Sequence, residues 1–182
     1  MPALLLVAGD LFHRQPLLRE LKEVDGLFAS LERTQVVLIA GNHDYMRRDS
    51  YYRTFQWSAN VHFLGSASVE AVELPALETA VYGCSYHERQ IRQPLYDSAP
   101  AAGRQKREIL LAHGGDADHI PVSREALAGL GYDYVALGHI HMPQVVIPGL
   151  AAYAGALEPT DRNDTGHHGY IQGEITEDGC RF

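Results

Sequence analysis

Four apolar runs punctuate this chain, and each ends on the same kind of residue. Val36-Val37-Leu38-Ile39-Ala40 leads into Gly41-Asn42-His43-Asp44, and Leu4-Leu5-Leu6-Val7-Ala8 into Gly9-Asp10. Ile109-Leu110-Leu111-Ala112 leads into His113-Gly114-Gly115, and Tyr134-Val135-Ala136-Leu137 into Gly138-His139-Ile140-His141. Short, unbroken aliphatic runs closed by Gly read as strands buried on both faces, as in parallel sheets covered by helices. Their last side chains then fall at the carboxyl edge of the sheet, where open α/β folds keep their ligands. A strand end needs no metal-type ligand for stability, so Asp, Asn and His at all of these ends predict one shared site.

Between the first two runs in chain order, Pro16 opens a predicted helix. Leu17, Leu21, Val24, Phe28 and Leu31 recur at alternating spacings of four and three, which gives one buried stripe, with Arg19, Glu20, Lys22, Glu23 and Glu32 facing outward. Leu4 to Ala40 is therefore a strand, helix, strand unit with parallel strands. Residues 45–57, rich in Arg and aromatics, predict a short helix or loop over the site. Residues 61–64, 69–74 and 80–83 read as short strands separated by Gly, Ser and Pro. Residues 98–103 read as an exposed loop and not a domain boundary. Ser123 caps a brief helix that runs through Leu130 and stops at Gly131. Short strands follow at 144–147, 151–154 and 170–175, joined by a polar loop carrying Asp161, Asn163, Asp164, His167 and His168.

Composition narrows the class. A chain of 182 residues with 46% hydrophobic content fits one domain with a sizeable core, and 21% charged residues exclude a disordered tail. The apolar runs are too short for a membrane span and nothing resembles a signal peptide, so a cytoplasmic location is expected. Cys84 and Cys180 lie far apart and outside any Cys-x-x-Cys pattern, which argues against a disulfide framework or structural zinc. The net charge of −8 argues against a broad basic face for nucleic acid. A phosphodiester substrate stays open, because divalent ions bring positive charge to an acidic site.

Imidazole, carboxylate and amide oxygen suit manganese, iron or zinc, and Asp10, Asn42, His113, His139 and His141 supply those groups. Two ions about 4 Å apart can polarise a phosphoryl oxygen and acidify a water. His43, next to Asn42, is placed to donate a proton to a leaving group. Other polar clusters read as structure first: Asp116, Asp118 and His119 as a polar loop, His167 and His168 as surface histidines, and Arg47, Arg48 and Arg53 as a charged helix face. Tyr86 and His87 suit groove lining and edge packing equally.

Gly9-Asp10, Gly41-Asn42-His43-Asp44, His113-Gly114 and Gly138-His139-Ile140-His141 resemble, in that order, the motifs of the calcineurin-like metallophosphoesterases, and the likeness covers nearly the whole chain. Within that superfamily, residues 8–14, 138–144 and 153–158 are similar to the DNA repair exonuclease branch, the SbcD-like nuclease subunit. The resemblance implies a four-layer αββα sandwich, with residues 1–182 as a single metallophosphoesterase domain lacking the branch's capping domain. It implies metal-dependent phosphodiester hydrolysis on DNA ends with two divalent ions, manganese ahead of iron or zinc. Asp10 would bridge both ions, Asn42, His113 and His139 would complete the second site, and His141 would serve the first. His43 would be the general acid or transition-state stabiliser, and His13 would lie near the substrate. DNA and an SbcC-like ATPase are the implied partners, with a homodimer left open and no membrane contact.

One departure stands out. The family's first motif, Asp-x-His, has no counterpart, since residues 1–9 hold neither Asp nor His. The expectation is an amino-terminally shortened chain with an incomplete first metal site and impaired activity. Two alternatives follow: a phosphatase or phosphodiesterase acting on a small phosphoester, which the acidic balance favours, or a non-catalytic metal-binding subunit.

Overall fold

Gln35–Ile39 (β2) lies in the middle of a three-stranded parallel sheet, between Leu4–Ala8 (β1) and Val61–Phe63 (β3). The structure is a computed structural model that describes residues 2–160, 162 and 164–182; Asp161 and Asn163 of the polar loop lie outside the described residues. Leu18–Ala29 (α1) carries the chain from β1 to β2, so the expected strand, helix, strand unit is formed. The helix begins after Pro16 and not at it, because Glu20 reaches back to cap it. One Glu20 oxygen accepts from the Leu17 N–H at 2.8 Å, and the other takes the Arg14 guanidinium at 2.5 Å. Leu21 is fully buried and Val24, Phe28 and Leu31 half-buried, but Leu17 precedes the first turn and is 41% exposed.

A second, six-stranded sheet has the order β4-β5-β6-β7-β9-β8. These strands are Glu70–Leu74 (β4), Thr79–Gly83 (β5), Arg107–His113 (β6), Tyr134–Gly138 (β7), Gln144–Ile147 (β8) and Ala151–Tyr153 (β9). β5, β6, β7 and β9 are mutually parallel, and β4 and β8 close the two edges antiparallel. Between β6 and β7 runs Arg124–Gly129 (α2), where Ser123 Oγ accepts from Ala126 N–H at 3.1 Å, the cap anticipated from sequence.

Alternation along the strands builds the layers. Val37 and Ile39 of β2 pack against Val81, Ile109, Leu111 and Ala136 of the second sheet. Val36 and Leu38 point the other way, onto Phe28 of α1 and Leu31. On the far face of the second sheet, Leu110, Ala112, Val135 and Leu137 are covered by Leu127, Leu130 and Tyr96. The result is a mixed α/β fold in which two sheets stack face to face and helices lie outside. β2 is buried on both faces along Val36 to Ile39, whereas β1, at the sheet edge, is half-buried throughout.

Residues 45–57 form the short helix or loop expected, irregular but for a 3-10 turn at Tyr51–Arg53, pinned by Tyr52, whose ring stacks 4.9 Å from that of Phe63. One segment differs from the sequence reading: residues 170–173 are not strand. Pairing begins only at Glu174–Thr176 (β10), in a hairpin with Gly179–Arg181 (β11), and Tyr170 is 76% exposed. Strand formation follows partner availability as much as residue type. Both cysteines are free thiols. Among the described residues no helix is long and apolar enough to cross a membrane.

The two sheets converge where β1, β6 and β7 end, and Gly138 permits it. A Cβ there would meet the Ala8 carbonyl oxygen and lie 2.9 Å from its carbon. Gly138→Ala should therefore destabilise the protein by about 1–3 kcal/mol, the usual cost of overpacking against backbone. Gly26→Ala serves as the opposite control: its Cβ would meet nothing within 4 Å in the interior of α1. It should stabilise by about 0.5–1 kcal/mol. Urea unfolding of the metal-free protein reads both.

Candidate metal centre

Four strand ends deliver the polar side chains that cluster at this convergence. Asp10 follows β1, Asn42 follows β2, His113 closes β6 and His139 follows β7. Asp10 and His139 have φ of +50° and +92°, the left-handed region that costs a non-glycine residue of order 1–3 kcal/mol. A glycine would avoid that strain but would supply no ligand atom. Gly41 is small because Asp10 occupies the space beside it: a Cβ would lie 2.5 Å from Asp10 N and 2.7 Å from its carboxyl carbon.

His113 is fully buried, and its Nδ1–H donates to the Ala8 carbonyl at 2.7 Å. That bond turns Nε2, which offers a lone pair when the ring carries a single proton, toward Asn42 Oδ1 at 2.9 Å and Asp10 Oδ2 at 3.4 Å. His139 has its Nε2 on Asp116 Oδ2 at 2.8 Å and its Nδ1 3.2 Å from Asn42 Oδ1. A carboxylate only accepts, so the His139 lone pair lies on Nδ1. Two imidazole lone pairs, a carboxylate oxygen and an amide thus converge. Ligand atoms of Asp10, His113 and His139 lie within 4.8 Å of one another. Without a cation, the Asn42 amide can turn its NH2 toward the two rings; with one, its oxygen joins the ligands. The donor set fits manganese, iron or zinc.

Partners farther back fix this arrangement. Tyr96 accepts from His113 N–H at 2.9 Å, and the Tyr96 and Tyr86 hydroxyls both lie 3.1 Å from the His113 carbonyl. Tyr153 donates to the Gly114 carbonyl at 3.0 Å. Asp44, fully buried, accepts from Gly41 N–H at 2.8 Å, Phe12 N–H at 3.2 Å and Tyr52 Oη–H at 2.9 Å. It ties the loop after β1 to the loop after β2. Burial, then the nearby charge of Asp10, pushes the Asp44 carboxyl up to about 6. Burial also raises Asp10, but the hydrogen bond and charge of His113, when its Nε2 carries a proton in place of a cation, and the His43 N–H outweigh it and hold Asp10 below the usual range.

The remaining sequence candidates fall in several places. Asp10 Oδ1 accepts from the His43 N–H at 2.8 Å, and the half-buried His43 ring stacks on the exposed ring of His13 at 4.4 Å. Burial lowers the His43 pKa more than Asp10 raises it, and His13 and Arg89 add repulsion. His141 belongs to neither cluster of three or more metal-type ligands found among the described residues. Its Nδ1 lies 2.9 Å from Asp164 Oδ2 and 3.2 Å from Thr160 Oγ1, in a small pocket with Met142, Thr165 and His168. The other cluster is Asp116, His119 and His139, so the polar loop after β6 reaches the site.

Tyr86 is a buried support for His113 and lines no groove, while His87 donates to the Gly65 carbonyl at 2.8 Å. Arg53 is spent on the Met46 and Arg47 carbonyls, each at 2.7 Å, and Arg47 pairs with Asp49 at 3.0 Å. Sequence reasoning singled out neither Asp44 as a brace nor Tyr96 and Tyr153. Asp44 carried a signal, since it directly follows the Asn-His pair, but the tyrosines are 17 and 39 residues from their partners and carried none.

Asp44→Ala would leave three donors, two of them buried and the Phe12 N–H partly so, without an acceptor, and we expect the metal-free protein to lose about 2–3 kcal/mol. Asp44→Asn keeps the shape but turns an NH2 toward one donor, so it should lose a comparable amount. A loss below about 0.5 kcal/mol in urea unfolding of both variants would contradict the bracing role.

Comparison with known proteins agrees with this geometry. The chain is 30% identical to an uncharacterized metallophosphoesterase of Bacillus subtilis (strain 168), YhaO, over an alignment covering 94% of this chain and 45% of that protein. The chain thus spans about half the length of this relative. A family profile described as calcineurin-like phosphoesterase matches residues 1–143, the part that contains every strand end at the metal centre. The chain belongs to the calcineurin-like phosphoesterase family.

Proposed function

We propose that this chain is a metal-dependent phosphodiester hydrolase acting on DNA ends, an SbcD-like exonuclease core with slowed turnover. The family hydrolyses phosphoesters with divalent metals. The observation that carries the reading is the convergence of the His113 Nε2 and His139 Nδ1 lone pairs with Asp10 and Asn42. These four residues would hold one ion. When bound, the ion supplies positive charge at a phosphoryl oxygen and an acidified water.

The chain's own residues supply the rest. Asp10 holds the His43 backbone through its second oxygen, which keeps the His43 ring beside the centre. Burial and the neighbouring positive charges lower the pKa of that ring and so disfavour the protonated form that would hand a proton to the leaving oxygen, which favours the other role of His43, a ring N–H that stabilises the charge developing on that oxygen. His13, stacked on it and exposed, meets the substrate. DNA as substrate rests on the branch likeness in residues 8–14, 138–144 and 153–158; an SbcC-like ATPase partner, a homodimer and a cytoplasmic location rest on the same likeness and on composition. Slow turnover is expected because His141, which the resemblance assigns to the first ion, is engaged with Asp164 and Thr160 and stands outside the cluster of Asp10, His113 and His139. The net charge of −8 favours a second reading, hydrolysis of a small phosphoester.

With manganese, linear DNA and a chromogenic phosphate diester should be cleaved faster than a phosphate monoester, and chelation should abolish turnover. Preference for the monoester would move the reading to the small-ester alternative. His43→Ala should lower kcat by at least about 10²-fold, the lower end for losing one donor to a developing negative charge, while leaving manganese affinity unchanged. Equal loss of affinity and turnover would remove His43 from the chemistry.

A further inference from the structure

Asp116 sits in the loop after β6, outside the group that converges on Asn42, yet one of its oxygens meets His139 from behind. Oδ2 accepts from His139 Nε2 at 2.8 Å and lies 2.9 Å from His119 Nδ1. Oδ1 accepts from the N–H groups of Asp118 and His119 at 2.8 and 3.0 Å, and from the His119 ring at 2.9 Å. Asp116, His119 and His139 are compact enough to hold a cation. Their chemistry argues otherwise, because each oxygen is already matched by N–H donors, and an ion there would have to displace two ring protons. In the neighbouring cluster the two lone pairs face one another, and of the four residues there the Asn42 amide alone can turn a donor toward them.

The two histidines of that cluster present opposite nitrogens to it. His113 presents Nε2 because the Ala8 carbonyl takes its Nδ1–H; His139 presents Nδ1 because Asp116 takes its Nε2–H. The oxygen behind His113 belongs to the backbone and cannot be mutated away, whereas the one behind His139 is a side chain. We propose that Asp116 is a positioning residue that fixes the Nε2–H tautomer and ring orientation of His139 so that its Nδ1 faces the cation, with His119 holding Asp116 in place. This rests on the reading that Asp10, Asn42, His113 and His139 bind a metal ion. Carboxylates behind metal-ligating histidines typically raise metal affinity about 10–100-fold. The Asp116 side chain is 46% exposed, so the lower end of that range is expected.

Three variants separate this role from simple support of the loop. Asp116→Ser keeps a side-chain oxygen for the turn to Asp118 but cannot reach His139; Asp116→Asn keeps one oxygen, which can face His139 while its NH2 turns toward the N–H groups of the turn; His139→Ala removes the ligand. In the metal-free wild type, long-range proton–nitrogen NMR correlations should show His139 with a bare Nδ1 and a protonated Nε2. In Asp116→Ser the two tautomers should mix, and manganese affinity by calorimetry should fall about tenfold. Asp116→Asn should recover most of both, which a purely structural loss would not. An unmixed His139 in Asp116→Ser, or manganese affinity within twofold of wild type, would overturn the proposal. If the wild type bound no manganese while the tautomer still responded to Asp116→Ser, the positioning role would stand and the metal reading would fall.

Discussion

A single hydrogen bond across the sandwich sets the geometry of the centre. His113 and Ala8 are 105 residues apart and belong to different sheets, and the bond from His113 Nδ1 to the Ala8 carbonyl joins them at 2.7 Å where both strands end. It brings the carboxyl edges of the sheets together, so ligands from β1 and β2 can meet ligands from β6 and β7. It also commits the other ring nitrogen to the cluster. Packing and chemistry are here one constraint, since the contact that closes the core also chooses the atom offered to a cation.

The strain at the centre follows from that closeness. Asp10 and His139 hold left-handed backbone conformations and Gly41 is walled in by the Asp10 carboxylate. Such positions persist only where surrounding structure over-determines them. The surroundings do so here: three tyrosine hydroxyls on the His113 and Gly114 backbone, and buried Asp44 joining two loops, spread the cost over much of the core. Ser85, in the segment that follows β5, adds to this, accepting from Ala40 N–H at 2.9 Å and donating to the Leu64 carbonyl at 2.6 Å.

Much of this was legible in the sequence because it is written locally. The unbroken runs that became β2, β6 and β7 are buried on both faces, and the Gly-ligand pairs at their ends follow from a few adjacent residues. The cap at Ser123 was equally local. What escaped depends on distant partners. Nothing in Tyr170 to Gly173 reports that no strand lies beside it, and nothing near Tyr96 or Tyr153 reports which backbone they reach. Asp116 read as an ordinary turn residue, since its bond to His139 spans 23 positions. The pairing of His141 with Asp164 was hidden for the same reason.

The central claim is that oxygens and nitrogens from four strand ends share one cation. Anomalous diffraction from manganese-soaked crystals tests it most directly, because it locates the ion without reference to activity. The account predicts a peak enclosed by Asp10, Asn42, His113 and His139, with Asp116 behind His139 and outside the coordination sphere. A peak between Asp116 and His119, or no peak at the convergence of the sheets, would contradict it.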